Sequence, residues 1–324
     1  MSTLRLGTRG SQLALWQARA AAALIEQAGG PPCQIVIIRT SGDRLAEAPL
    51  SEVGGKRLFV KEIEDALLRH EVDLAVHSCK DMPAELPPGL AIGAVLARED
   101  PRDAIVLPRG AAARPESLED LLLALGQRPT IGTSSVRRTA ELSRLLPGAR
   151  FLPIRGNLDT RLRKLDEGGF DAIVLAAAGM RRLGFIARLS LMLPLDACVP
   201  APGQGAIAIE LRADDARTLG AVGRVDHVAS AAAVSAERAL VAELGGGCQT
   251  PIGAIALPDG DGLDLQAVVV SLDGQRAVRA RGHGAVADAA ALGRRVGQQL
   301  LAEGAAAILA EVQGAQGPAG GLQP

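Results

Sequence analysis

The sequence predicts an α/β fold, with two mostly parallel α/β domains followed by a small α+β domain. Short apolar runs alternate with stretches of helical apolar spacing over residues 3–96. The alternation restarts after the polar break Glu99-Asp100-Pro101-Arg102-Asp103. From about Asp226 the order changes to a helix, three strands and a helix. Repeated β-α-β order requires crossover connections and so a mostly parallel sheet with helices on both sides.

The elements follow in order. Residues 3–6 and 34–39 read as strands around an amphipathic helix over 11–27. Residues 59–70 read as a helix, with Phe59, Ile63, Ala66 and Leu67 on one face. Strands follow at 72–76 and 90–96, separated by a loop over 77–88. After the break come strands at 104–107, 130–132, 151–154 and 171–175, interleaved with helices at 117–125, 135–146 and 158–167. The Pro/Gly-rich stretch 199–205 reads as a second hinge before a strand at 206–211. A long helix over 228–244 stops at Gly245-Gly246-Gly247. Strands at 252–256, 263–271 and 275–281 make a three-stranded antiparallel sheet. Asp273-Gly274 turns the last pair, and a helix over 285–303 covers them. The expected domains are 1–99 with 204–222, then 100–203, then 223–313, with a disordered Gly/Pro/Gln-rich tail at 314–324.

Composition narrows the function. A net charge of −1 argues against nucleic-acid binding by bulk charge but allows a local basic cleft. Only 2% of residues are aromatic, too few for base-stacking platforms. Cys33, Cys79, Cys198 and Cys248 stand singly, with no C-x-x-C and no metal-ligand spacing to His70, His77, His227 or His283. No metal is expected, and the reducing cytoplasm is the expected compartment. The first residues show no basic segment before an apolar run. Residues 13–25 are too short and polar to span a membrane.

Basic residues gather at strand-to-helix turns. Examples are Thr8-Arg9-Gly10-Ser11, Gly55-Lys56, Lys80-Asp81, Gly132-Thr133-Ser134-Ser135-Val136-Arg137-Arg138, Arg155 to Arg161, and Arg181-Arg182. Strand ends border the ligand crevice of an open α/β sheet. Helix starts attract anions, and guanidinium forks match carboxylates. The pattern points to a cleft for a multiply anionic ligand; singly, each residue also reads as a solvated surface charge. Gly132-Thr133-Ser134-Ser135 lacks the Gly-Lys of a phosphate loop, which disfavours a nucleoside triphosphate. Asp81 could stabilise a cation or handle a proton, or simply cap a turn. Cys248, behind three glycines, could be a nucleophile or a small buried hydrophobe.

Eight segments resemble the porphobilinogen deaminase (hydroxymethylbilane synthase) family. They are Thr8-Arg-Gly-Ser-Gln-Leu-Ala-Leu-Trp-Gln17, Gly54-Gly-Lys-Arg-Leu-Phe-Val-Lys-Glu62, Val76-His-Ser-Cys-Lys-Asp-Met-Pro83 and Arg98-Glu-Asp-Pro-Arg-Asp103. Then come Gly132-Thr-Ser-Ser-Val-Arg-Arg138, Arg155-Gly-Asn-Leu-Asp-Thr-Arg161, Pro202-Gly-Gln-Gly-Ala206 and Gly246-Gly-Cys-Gln-Thr-Pro-Ile-Gly253. They run in order over all but the tail.

The resemblance implies two periplasmic-binding-protein-like α/β domains joined by hinges, plus the α+β domain. It implies a dipyrromethane cofactor held by a thioether to Cys248. Four porphobilinogen units are then added head to tail with loss of ammonia, and hydrolysis releases linear hydroxymethylbilane. Asp81 matches the catalytic aspartate. Lys80, Thr133, Ser135, Arg137, Arg138 and Arg155 match cofactor-binding positions; Arg9, Ser11, Lys56, Arg161 and Arg182 match substrate-binding positions. A monomer is implied, with room for a transient contact with the next enzyme of the pathway.

That chemistry suits the residues. Each porphobilinogen brings an acetate and a propionate, which arginines neutralise. Loss of ammonia leaves a cationic azafulvene, which a carboxylate stabilises. Arg57, Cys79 and Asp159 depart from the usual family pattern. The alternative reading is a non-catalytic two-lobed anion-binding or metabolite-sensing protein, which would need neither Asp81 nor Cys248.

Overall fold

The structure, a computed structural model, describes residues 3–40, 60–112, 115–247 and 250–316. Strands and helices are numbered along the chain. The first sheet contains β1 (Leu4–Thr8), β2 (Cys33–Ile37), β3 (Leu74–Ser78), β4 (Leu90–Val95) and β10 (Ile207–Arg212), in the order β2-β1-β3-β10-β4. β1 pairs in parallel with β2 and β3, and β10 runs antiparallel between β3 and β4. Helix α1 (Gln12–Gln27) buries Ala18, Ala21 and Ile25 against Leu4, Leu6, Leu74 and Ile209. Helix α2 (Lys61–Leu68) packs Ile63, Ala66 and Leu67 against Val72 and Ala75 on the other face. Burial on both faces explains the apolar runs Leu74-Ala75-Val76 in β3 and Ile207-Ala208-Ile209 in β10.

The second sheet contains β5 (Asp103–Val106), β6 (Thr130–Gly132), β7 (Arg150–Leu152), β8 (Ala172–Ala176) and β9 (Leu191–Met192), in the order β7-β6-β8-β5-β9. It repeats the first sheet's pattern, with β5 as the antiparallel member. Helices α3 (Leu118–Leu125), α4 (Val136–Leu145), α5 (Leu158–Asp166) and α6 (Ala177–Arg182) accompany it. The sequence reading expects mostly parallel sheets; one strand in each runs against the rest. β5 and β10 are the strands that follow a crossing between lobes. The crossings lie side by side: Glu99 N donates to Gly205 O at 3.1 Å, and Leu96 N to Ile207 O at 3.0 Å. Gly205 has φ +86°, and a Cβ there would fall 2.3 Å from Glu99 O, so only glycine permits this approach.

After α7 (Ala216–Val222) comes the third unit. Helix α8 (Val228–Glu243) and helix α9 (Ala289–Leu300) cover the antiparallel sheet β11 (Ile252–Asp259), β12 (Gly262–Val270) and β13 (Ala277–Ala285). A Cβ on Gly293 of α9 would lie 2.1 Å from Ala236 O, so the glycine sets how closely α8 and α9 pack. The sheet's other face carries Ile255, Val268 and Val270, which cluster with Ala140 and Val199 of the second lobe.

Local differences from the sequence reading have identifiable causes. The final helix ends at Leu300, passes a wide turn over Leu301–Ala305 with Gly304 at φ +102°, and continues as α10 (Ala306–Gln316), past the point where a tail was expected. Helices α6 and α7 and strand β9 are too short to leave a periodic signal. Among the described residues no helix is long and apolar enough to cross a membrane.

Candidate active site

β3 ends at Ser78, and one 3₁₀ turn, Cys79–Asp81, follows. Cys79 and Met82 are buried, Cys79 N donates to Ala206 O at 3.0 Å, and Met82 N to Cys79 O at 3.1 Å. These anchors leave Lys80 and Asp81 as the half-buried residues of the turn. Ser78 is held from α1, where Gln17 Nε2 donates to its Oγ at 2.8 Å.

Two cavities meet at this turn. Asp81 lines one of about 410 Å³ with Arg9, Ser11, Gln17, His77 and Ser78. Lys80 lines the other, about 610 Å³, with Ser135, Arg137, Arg238, Gly247 and Thr250. Three parts of the chain, distant in sequence, thus converge on consecutive residues. Gly247 and Thr250 flank Cys248, which lies outside the described residues, as does Lys56.

The electrostatics follow from burial. Burial pushes the Lys80 ammonium down to about 8, with Arg138 acting the same way and Asp81 opposing. Lys80 Nζ donates to Gln204 Oε1 at 3.3 Å. Burial also pushes Arg161 down to about 10, helped by Arg138 and Arg155, while Asp81 again opposes. The field of Asp81, in the first lobe, therefore reaches Arg161 in the second. Arg161 Nε donates to Gly156 O at 2.8 Å. Burial pushes Arg182 down to about 10, opposed by Glu99. Its Nη2 donates to Gly205 O at 2.6 Å, and its guanidinium lies 5.7 Å from the Trp16 ring centroid, across the lobes. Arg155 is half-buried in the turn before α5.

Arg137 and Arg138 have a protein partner that the sequence does not announce. The sequence reading has both meeting an anionic ligand at a strand-end cleft. Both are buried and bonded to the fully buried Asp103: Arg137 Nη2 to Oδ2 at 2.7 Å, Arg138 Nη2 to Oδ1 at 2.7 Å. Burial would raise the Asp103 pKa, but the two guanidiniums prevail and hold it well below the usual carboxylate range. Arg137 also reaches Glu141 Oε1 at 3.2 Å and Val199 O at 2.7 Å, and still borders the larger cavity. Thr133 is buried, and its Oγ1 accepts from Ser135 N at 3.2 Å. Ser135 caps α4, its Oγ accepting from Arg138 N at 3.4 Å.

Sequence reasoning missed the residues that hold this floor together. Gln204 Nε2 donates to Pro101 O at 2.7 Å and Asp103 Oδ1 at 2.8 Å, while its Oε1 accepts from Lys80. It joins both crossings to the Lys80-Asp81 turn. Asp103 opens a buried strand, an unusual place for a carboxylate and the one signal that marked it.

The family model "Porphobilinogen deaminase, dipyromethane cofactor binding domain" matches residues 4–220. "Porphobilinogen deaminase, C-terminal domain" matches residues 231–302. The chain is 46% identical over 310 residues to a porphobilinogen deaminase of Trichlorobacter lovleyi, covering 95% of this chain and 96% of that one. It is 48% identical over 311 residues to one of Syntrophobacter fumaroxidans, covering 95% and 97%. Among solved structures, the VFT2 domain of Bordetella pertussis BvgS aligns with 69% of this chain and 86% of its own, at 15% identity and a TM-score of 0.41.

Proposed function

The chain belongs to the porphobilinogen deaminase family, and on that premise we propose that the Lys80-Asp81 turn is where it joins porphobilinogen units. The reaction links four porphobilinogens head to tail, releases ammonia at each step, and frees hydroxymethylbilane by hydrolysis. The observation that carries the assignment of the site is the meeting of two cavities at Lys80 and Asp81, one bordered by both neighbours of the Cys248 loop.

The larger cavity fits a dipyrromethane. Lys80, Ser135, Arg137 and Arg238 give it the cations and hydroxyl that a carboxylate-bearing group needs. Cys248 would hold that group, and Lys80 and Ser135 would meet its carboxylates. When bound it supplies the pyrrole carbon on which the chain grows.

Asp81 acts on the substrate. As the C–N bond of porphobilinogen breaks, its electron pair leaves with ammonia and positive charge develops on the methylene carbon. The Asp81 carboxylate stabilises that charge in a partly dry cleft and accepts a pyrrole N–H. Arg9 and Ser11 line the same cavity and bind the acetate and propionate. Arg155 and Arg161 approach from the second lobe. Lys80 holds a carboxylate, whose negative charge favours its ammonium form. Arg137 and Arg138 also hold Asp103, which fixes the start of α4 that presents Ser135.

We further propose a cytoplasmic monomer; the free thiols Cys33, Cys79 and Cys198 suit a reducing compartment. The test is the intact mass of the purified chain. It should exceed the sequence mass by two pyrrole units and give the dipyrromethane colour reaction with an acidic aldehyde. Cys248→Ser should abolish both, and Cys33→Ser or Cys198→Ser should keep both. An active preparation without the extra mass rules the reading out. A non-catalytic anion-binding protein is not favoured, because the family match extends over the third unit as well.

A further inference from the structure

Arg238 stands on α8 beside Glu237. Glu237 is fully buried and bonded on several sides: to Arg98 at 2.6 Å, to Gly203 N at 2.6 Å and to Ala256 N at 2.8 Å. That fastening fixes the rotation of α8, and Arg238, one position on, borders the larger cavity. Its Nη2 donates to the Ala84 carbonyl at 2.8 Å, which leaves guanidinium N–H groups to spare.

The cations of this cavity differ in how they are balanced. Arg137 is matched by Asp103 at 2.7 Å and Glu141 at 3.2 Å. Arg238 has a carbonyl partner and no carboxylate within ion-pair distance among the described residues. It is also the cation that the third unit contributes, from the unit that carries Cys248. An arginine that borders a cavity, with no carboxylate partner among the described residues, is suited to receive a carboxylate ligand.

We propose that Arg238 binds an acetate or propionate carboxylate of the covalently held pyrrole pair, and so orients the pair as it is assembled on Cys248. The proposal rests on the deaminase reading. The bond to Ala84 offers a purely structural role instead, and the choice of variants separates the two. Arg238→Gln keeps an N–H donor for Ala84 O and loses the charge. Arg238→Lys keeps the charge and loses the fork.

The experiment uses the full-length chain produced in cells that make no porphobilinogen, then given porphobilinogen while intact mass is followed in time. A charged hydrogen bond is worth about 1.5–3 kcal/mol, so gain of the two-pyrrole mass should slow about 10- to 100-fold in Arg238→Gln and Arg238→Leu. Arg238→Lys should recover part of the rate. The thermal midpoint of Arg238→Gln before exposure should stay within a few degrees of the wild type. Equal rates in wild type and folded Arg238→Gln overturn the proposal alone. A defect in Arg238→Leu that Arg238→Gln fully rescues also overturns it, since Ala84 would then be the partner that matters. If the wild-type chain itself gains no pyrrole mass, the deaminase reading falls and the proposal falls with it.

Discussion

The Arg98 guanidinium forks onto Glu237, with Nη1 2.6 Å from Oε1 and Nη2 3.1 Å from Oε2, across 139 residues of chain. Arg98 leaves the first lobe at one crossing, and its Nε also donates to Gln204 O in the other at 2.8 Å. One buried ion pair therefore pins the third unit to both crossings.

Glu237→Gln should cost about 3–5 kcal/mol, the usual penalty for leaving one member of a buried pair uncompensated. Urea unfolding of the purified variant checks this. A shift below about 1 kcal/mol would show that water reaches Arg98 once its partner is gone.

Asp81→Asn should fold and acquire its pyrroles but turn over about 10²- to 10³-fold more slowly, the effect of removing one preorganised charge. Intact mass and hydroxymethylbilane production, measured on one preparation, separate the two steps. Near-normal turnover would move the cationic step away from Asp81.

The arginines should divide by burial. Arg138→Leu leaves half of Asp103's neutralising charge missing in a buried site, and should lower the unfolding midpoint. Arg161→Leu, whose one side-chain hydrogen bond among the described residues is to the Gly156 carbonyl, should lose product formation with little change in midpoint. Paired melts and assays test the division, and the opposite ranking contradicts it.

Stability should fall as pH rises from about 4.5 to 7. Burial raises Glu141 to about 7 against the pull of Arg137, so over this range the folded state holds a proton that the unfolded chain gives up. The contribution is present below the unfolded pKa and lost as pH rises through the folded one. Asp103 acts in the opposite sense: its depressed pKa stabilises the fold above about pH 4 and fails only in acid. Glu141→Gln should flatten the slope between pH 4.5 and 7 and leave the acid limb. An unchanged slope assigns it to another group.

The sequence by itself determined the alternation of strands and helices, and the family. Each is written locally: apolar periodicity lies within a dozen residues, and a motif such as His77-Ser78-Cys79-Lys80-Asp81 is contiguous. Tertiary structure alone decided the partners. Along the chain, Arg137 and Arg138 at the start of their helix show no counter-charge closer than Glu141. Asp103, 34 and 35 residues away, reaches them only because β5 enters the second sheet antiparallel beside β8. Gln204 and Glu237 likewise gain their roles from two crossings that meet in space. No local period encodes such meetings, since a buried charge is placed by whichever distant segment must neutralise it.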